Sequence, residues 1–137
     1  MVRSHMDFKT FSKINRYRCE SPEGFNHKLP SWSLSDWFTA TMGELGEAAN
    51  VAKKLNRIRD GIRGNDKGED ELRKHLRKEV ADVFIYLDLL SQACGFELED
   101  AVVEKFNETS DKIGSWIKIG LYCPFCESWE DGEDDVV

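Results

Sequence analysis

Two stretches of this chain admit little but long α-helix. From Ser33 to about Ile62, and again from Glu69 to Gly95, there is no proline, and apolar residues recur at alternating steps of three and four. That is the spacing by which neighbouring helices interlock. Ser33, with Asp36 three residues on, makes a capping-box start for the first stretch. Glu69, Asp70 and Glu71 open the second in the sense a helix dipole favours, and Gly95 closes it. Between them "GIRGNDKG", with three glycines, reads as a loop. The stripe running from Leu34 and Phe38 through Leu45, Ala48 and Leu55 to Ile62 predicts the packed face of the first long helix.

The flanks extend the pattern. "DFKTFSKINRYRC" places Phe8, Phe11 and Ile14 at helical spacing, "SPEGFNHKLPS" breaks it with two prolines and a glycine, and "ELEDAVVEKFNETSDKIG" reads as a fourth helix. No segment alternates with a period of two for long enough to make a strand, "SWIKIGLY" coming nearest. The expected fold is all-α, a four-helix bundle. A chain of 137 residues is long enough for one domain with its own core. We place that domain at residues 6–120, with residues 1–5 a cloning remnant before Met6 and residues 121–137 an acidic tail. Cys19 and Cys94 fall in helical patterns and are expected to be small buried apolar groups. Cys123 and Cys126 form "CPFC", half of a zinc-knuckle spacing with no second pair and no histidine nearby. An unliganded tail motif is the expectation, a zinc shared between subunits the alternative.

A formal net charge of −7 argues against a duplex-binding surface, which needs clustered Lys and Arg to displace counterions from phosphates. No apolar run approaches the roughly 20 residues needed to span a bilayer, and no charged-then-apolar leader is present, so a cytosolic protein is expected.

Against this background four acids stand out. "GELGEAANVAKKL" carries Glu44 and Glu47 one turn apart, in a row that reads Trp37, Ala40, Glu44, Glu47, Val51, Ile58 with Lys54 its only cation. "RKEVADVFIYLDLL" repeats the pattern with Glu79 and Asp82 in a row from Leu72 to Tyr86 and Leu89. Residues three apart share a helix face, so packing the two helices together would bring four carboxylates into a partly dry space. Any one such pair reads as solvated helix charge. Two of them inside apolar rows on consecutive helices would repel strongly unless protons or cations intervene. Ligands that are all oxygen favour a hard ion, magnesium or manganese. Di-iron bundles need Glu-x-x-His pairs, whereas Glu71 and His75 are four apart. An EF-hand aligned on Asp60 and Gly61 lacks its acid at Ile58 and its glutamate at Lys67.

"GELGEAAN", "KEVADVFIYLDLL" and "LEDAVVEKFNETSDKIG", in that order over roughly Trp32 to Gly114, resemble the MazG-like family of all-α nucleoside triphosphate pyrophosphohydrolases. The resemblance implies that Glu44, Glu47, Glu79 and Asp82 bind Mg2+, for which Mn2+ can substitute, and that a water cleaves a nucleoside triphosphate between its α and β phosphorus atoms. Metal chemistry of this kind neutralises phosphate oxygens and makes water more acidic, and a carboxylate free of metal, by similarity Glu47, takes the proton. It further implies phosphate and sugar contacts from Lys105, Asn107 and Lys112, although Thr109 stands where many relatives have a second asparagine. Tyr86, Trp32 and Trp37 become candidates to pack on the sugar or base, with plain core positions the competing reading, and Lys54 a candidate substrate contact.

"WSLSDW" and the long "KKLNRIRDGIRGND" resemble a phage subgroup described as dATP/dGTP diphosphohydrolases. That implies a purine nucleotide such as dGTP, with Arg57, Arg59 and Arg63 available to close over the base, and the host cytoplasm as the place of action. A pyrimidine enzyme acting on dCTP or dUTP, and a helical module that binds nucleotides without hydrolysing them, stay open. Relatives pair through broad apolar flanks, so a homodimer or homotetramer is expected.

Overall fold

The computed structural model describes residues 7–120. It is all-α: α1 spans Phe8–Glu20, α2 Leu34–Arg59, α3 Glu69–Ala93 and α4 Leu98–Lys112, with a short 3₁₀ turn at Leu29–Ser31. No strand occurs among the described residues, and Lys118 in "SWIKIGLY" makes only an isolated bridge. None of the helices is long and apolar enough to cross a membrane. Residues 1–5, the tail with Cys123 and Cys126, and their expected roles lie outside the described residues.

Local chemistry sets the helix ends. Asp7 caps α1 by accepting from the Thr10 backbone N–H at 2.8 Å. At the start of α2 the capping box is complete: Ser33 N–H donates to Asp36 Oδ2 at 2.9 Å, and Asp36 N–H donates back to Ser33 Oγ at 3.2 Å. The helix stops at Arg59, three residues short of expectation. Gly61 takes φ +68°, and the N–H groups of Gly61 and Ile62 turn back onto the carbonyls of Ile58 and Arg57. That is the Schellman closure that a residue without Cβ permits, and α3 and α4 end the same way.

The chain divides into two compact units, one through Glu97 and one from Leu98 on. In the first, α2 and α3 pack along their lengths and α1 lies against α3. Trp37, near the start of α2, clusters with Leu89 and Leu90 near the end of α3, so the two run antiparallel. Cys19 and Leu29 complete this cluster, and the Trp37 indole N–H donates to the Leu29 carbonyl at 3.1 Å. Toward the loop end, Val51 and Leu72 are buried. The α1–α3 seam joins Phe8 and Phe11 to Phe84, with ring centroids 5.5 and 5.2 Å apart, to a polar cluster around Asp88.

Two expectations fail here. Of the expected stripe on α2, Ala48 is buried, but it is joined there by Trp37 and Val51 of the neighbouring row, whereas Leu34, Phe38, Leu45 and Ile62 stay about half exposed. A single tryptophan buries more apolar surface than any one of them, and it carries its own face, including Glu44, onto α3. Cys94 is exposed, not buried, because it caps α3 where the backbone turns away.

In the second unit, the Asn107 amide bridges α4 to the segment after it, accepting from Ile119 N–H at 2.8 Å and donating to Ile119 C=O at 3.0 Å. Asp111 pairs with Lys118.

We expect Trp37→Ala to lower stability by about 3–5 kcal/mol in urea denaturation followed by circular dichroism. Trp37→Phe, which keeps most of the ring and deletes the N–H donor, should cost about 1–2 kcal/mol.

Candidate metal centre and the adjoining cavity

Turning the Trp37 face of α2 toward α3 brings Glu44 opposite Glu79 and Asp82, which share one face of α3. Each of the three offers an oxygen, and these oxygens lie within 4.8 Å of one another. Glu79 is 8% exposed, so the site is partly dry. Burial, then the charges of Glu47, Asp82 and Glu79, push the Glu44 carboxyl up from its ordinary value. Glu47 is exposed and stands outside the triad. A step of three residues rotates it about 60° round α2 from Glu44, toward solvent, so the structure gathers three of the four expected ligands and keeps the fourth beside them.

One contact was missing from the sequence reading. His75 Nε2 lies 2.8 Å from Glu79 Oε1, one helical turn away on α3. The signal was an ordinary i, i+4 pair. Among the described residues neither Glu44 nor Asp82 has an ion-pair partner, and no lysine or arginine neutralises the triad. The donor set fits a hard divalent ion: carboxylates converge from two helices, and no lysine or arginine among the described residues offsets their mutual repulsion.

Next to the triad is a cavity of about 380 Å³, and Asp82 belongs to both. Trp32, Trp37, Phe25 and Tyr86 supply aromatic walls, and Asn15 and Arg18 of α1 supply polar ones. The segment between α1 and α2 is folded back to bring Phe25 and Trp32 here: His27 N–H donates to the Cys19 carbonyl at 2.8 Å, and Leu29 N–H to Glu20 Oε1 at 3.1 Å. Rings of His27, Trp32 and Trp37 meet edge to face, with Trp32 and Trp37 centroids 4.8 Å apart. Burial, then the Glu44 charge, raises the Tyr86 hydroxyl above its ordinary value, so Tyr86 faces the cavity as a neutral phenol.

No family model, curated protein or solved structure matches the chain.

The other expected site residues fall as follows. Trp32, 38% exposed, stands at the mouth of the cavity, whereas Trp37, 1% exposed, is a core residue whose edge forms part of the wall. Lys54 is half-buried ten residues beyond Glu44, about 15 Å along the helix, and its carbonyl accepts from Asn65 of the following loop. Lys105 pairs with Glu108 on the surface of α4, Lys112 is exposed, and the Asn107 amide is spent on Ile119. The arginine loop sits far from the cavity: Trp37 and Arg57 are 20 residues apart on one helix, about 30 Å. Arg57 donates to the Arg63 carbonyl, and Arg59 pairs with Asp60. Within one chain these arginines organise their own loop and cannot close over a ring beside Trp37.

The raised Glu44 value fixes a sign. The folded state holds that proton more tightly than the unfolded chain, so this group's contribution to stability falls as pH rises through the interval above the ordinary carboxyl value. Glu44→Gln should therefore raise the melting temperature of the metal-free protein by a few degrees at pH 7–8, and the gain should vanish as the pH is lowered through the carboxylate range. Differential scanning fluorimetry of both proteins across pH checks this; a gain that grows on acidification would contradict it.

Proposed function

We propose that the chain is a Mg2+-dependent nucleoside triphosphate pyrophosphohydrolase of the MazG-like kind, releasing a nucleoside monophosphate and pyrophosphate. The observation that carries this reading is the shared wall: Asp82 belongs at once to a carboxylate triad suited to a hard cation and to an aromatic cavity suited to a planar ring. A molecule that spans both has a polyanion at one end and a ring at the other, separated by about 10 Å, the length of α2 from Trp37 to Glu44. A nucleotide has that form.

In this reading Glu44, Glu79 and Asp82 hold the divalent ion, which when bound supplies neutralisation of phosphate charge and a more acidic water. His75 holds one oxygen of Glu79 in place. Glu47, not spent in the triad, takes the proton as a water oxygen bonds to the α-phosphorus. The bond from that phosphorus to the α–β bridging oxygen breaks, and the pair of electrons leaves with pyrophosphate. Tyr86 and Trp32 flank the sugar and base. A purine nucleotide such as dGTP is the substrate we favour, since "WSLSDW" and the long loop resemble purine-directed enzymes and the cavity has room for a two-ring base.

Glu44→Gln and Asp82→Asn should each lower kcat/KM for the best deoxynucleotide by at least about a hundredfold while leaving helicity intact, the cost expected when a charged group essential to transition-state stabilisation is lost. Chromatography of the wild-type reaction should give monophosphate and pyrophosphate in equal amounts. Orthophosphate and diphosphate would place the chain in another class, and tight nucleotide binding without turnover would make it a binding module. A pyrimidine nucleotide as best substrate would sink the purine assignment alone.

The same reading includes a second copy of the chain. Leu34, Phe38, Met42 and Leu45 are each at least 47% exposed and step along one side of α2 by four, four and three. Such a stripe marks a contact surface. Sedimentation should give a dimer or tetramer, and Phe38→Glu should shift it toward monomer.

A further inference from the structure

Asn15 is 3% exposed and lines the cavity from α1. Its side-chain nitrogen has two hydrogens, and both are committed. One goes to the backbone carbonyl of Ile85 at 2.9 Å, the other to Asp88 Oδ2 at 2.8 Å. A carbonyl can only accept, so the atom facing Ile85 must be the NH2, and the amide cannot turn over. Asp88, fully buried, reinforces this. Its Oδ1 accepts from Ser12 Oγ at 2.7 Å and its Oδ2 also from Gln92 Nε2 at 3.0 Å, so both oxygens act as acceptors toward α1. What remains of Asn15 for the cavity is Oδ1. Among the described residues its one partner is Arg18 Nη2 at 3.4 Å, at the long limit of a hydrogen bond, and a carbonyl oxygen has a second lone pair.

We propose that Asn15, locked by Asp88 and the Ile85 carbonyl, is a fixed hydrogen-bond acceptor in the cavity wall that selects ring ligands carrying an exocyclic amine. Arg18, beside it, is the one arginine or lysine among the described lining residues and adds a donor, so the pair complements a ring edge with an amine next to an acceptor. The proposal rests on the cavity being the base site of the nucleotide described above. It adds a selection rule that the aromatic walls cannot supply, since stacking accepts any ring whereas a desolvated polar group rejects one that leaves it unpaired.

The test uses pairs of ligands that differ by the amine alone: dGMP against dIMP, and dAMP against the monophosphate of purine 2′-deoxyriboside. Binding is measured by calorimetry with Mg2+ present. In at least one pair the amine-bearing member should bind about 10- to 100-fold more tightly, the range expected for a buried hydrogen bond made or lost. Asn15→Ala should bring the members of that pair within about twofold of each other. Asp88→Asn, which puts N–H donors against Asn15 and loosens its lock, should narrow the gap part of the way. A merely structural role for these residues would weaken both members equally and leave the ratio unchanged. A wild-type ratio within twofold, or an unchanged ratio in folded Asn15→Ala, overturns the proposal; if that variant is unfolded by circular dichroism, an unchanged ratio in Asp88→Asn does so. Amine-selective binding with no triphosphate turnover would leave this inference standing and sink the pyrophosphohydrolase, and turnover blind to the amine would do the reverse.

Discussion

Trp37 can bury its ring against Leu89 and Leu90 only if α2 turns toward α3 the same face that carries Glu44. Helix periodicity allows no compromise, because residues 37, 44, 48 and 51 lie along one side. The apolar contact that holds the pair together therefore forces a carboxylate to within reach of Glu79 and Asp82. Burying a tryptophan gives a few kcal/mol, enough to carry a cluster whose burial, and then mutual repulsion, push the Glu44 carboxyl up. Stability and site are thus opposed along one helix face, and a divalent ion would relieve the opposition.

A second buried carboxylate follows a different logic. Asp88 has no ion-pair partner among the described residues but accepts from Ser12, Asn15 and Gln92, joining α1 to α3. Taking a charged or polar group out of water is costly unless every lone pair is used, and an apolar pair would tie the helices at least as well. What hydrogen bonds add is orientation. Phe8 and Phe11 against Phe84 hold α1 on α3 while tolerating small rotations; the Asp88 cluster fixes the rotation, and with it the positions of Asn15 and Arg18 in the cavity wall.

Much of this was legible in the chain itself, and the failures are instructive. All four helices lie where periodicity, caps and glycines place them, since those signals act within a turn or two. Which face packs did not follow from periodicity. Leu34, Phe38 and Leu45 look like better companions for Ala48 than Trp37 and Val51 do when residues are merely sorted as apolar, and the outcome depends on a long-range partner, the Leu89–Leu90 pocket, that no local pattern records. The paired acids were visible because carboxylates within apolar rows are locally anomalous. His75 was passed over because an i, i+4 histidine and glutamate is commonplace on a solvated helix. Asn15 gave no signal at all: its role comes from Ile85 and Asp88, seventy and more residues away.

The arginine loop shows how sequence likeness and contact separate. Arg57, Arg59 and Arg63 suggested a lid over a base, yet they close a loop about 30 Å along α2 from Trp37. Arg57 reaches the Arg63 carbonyl, and Gly64 is required beside it, since a Cβ there would come within 2.9 Å of the guanidinium and the backbone has φ +109°. Conformational demands of that kind preserve a loop for its own sake. In the nucleotide reading, the groups next to the ring are those of the cavity beside Trp32 and Tyr86, where α1 contributes Asn15 and Arg18 alongside His27 and Asp82. Resemblance in the loop can still travel with a substrate preference, but on the reading proposed above the hydrogen bonds that would enforce one lie in the cavity wall, to which α1 contributes Asn15 and Arg18.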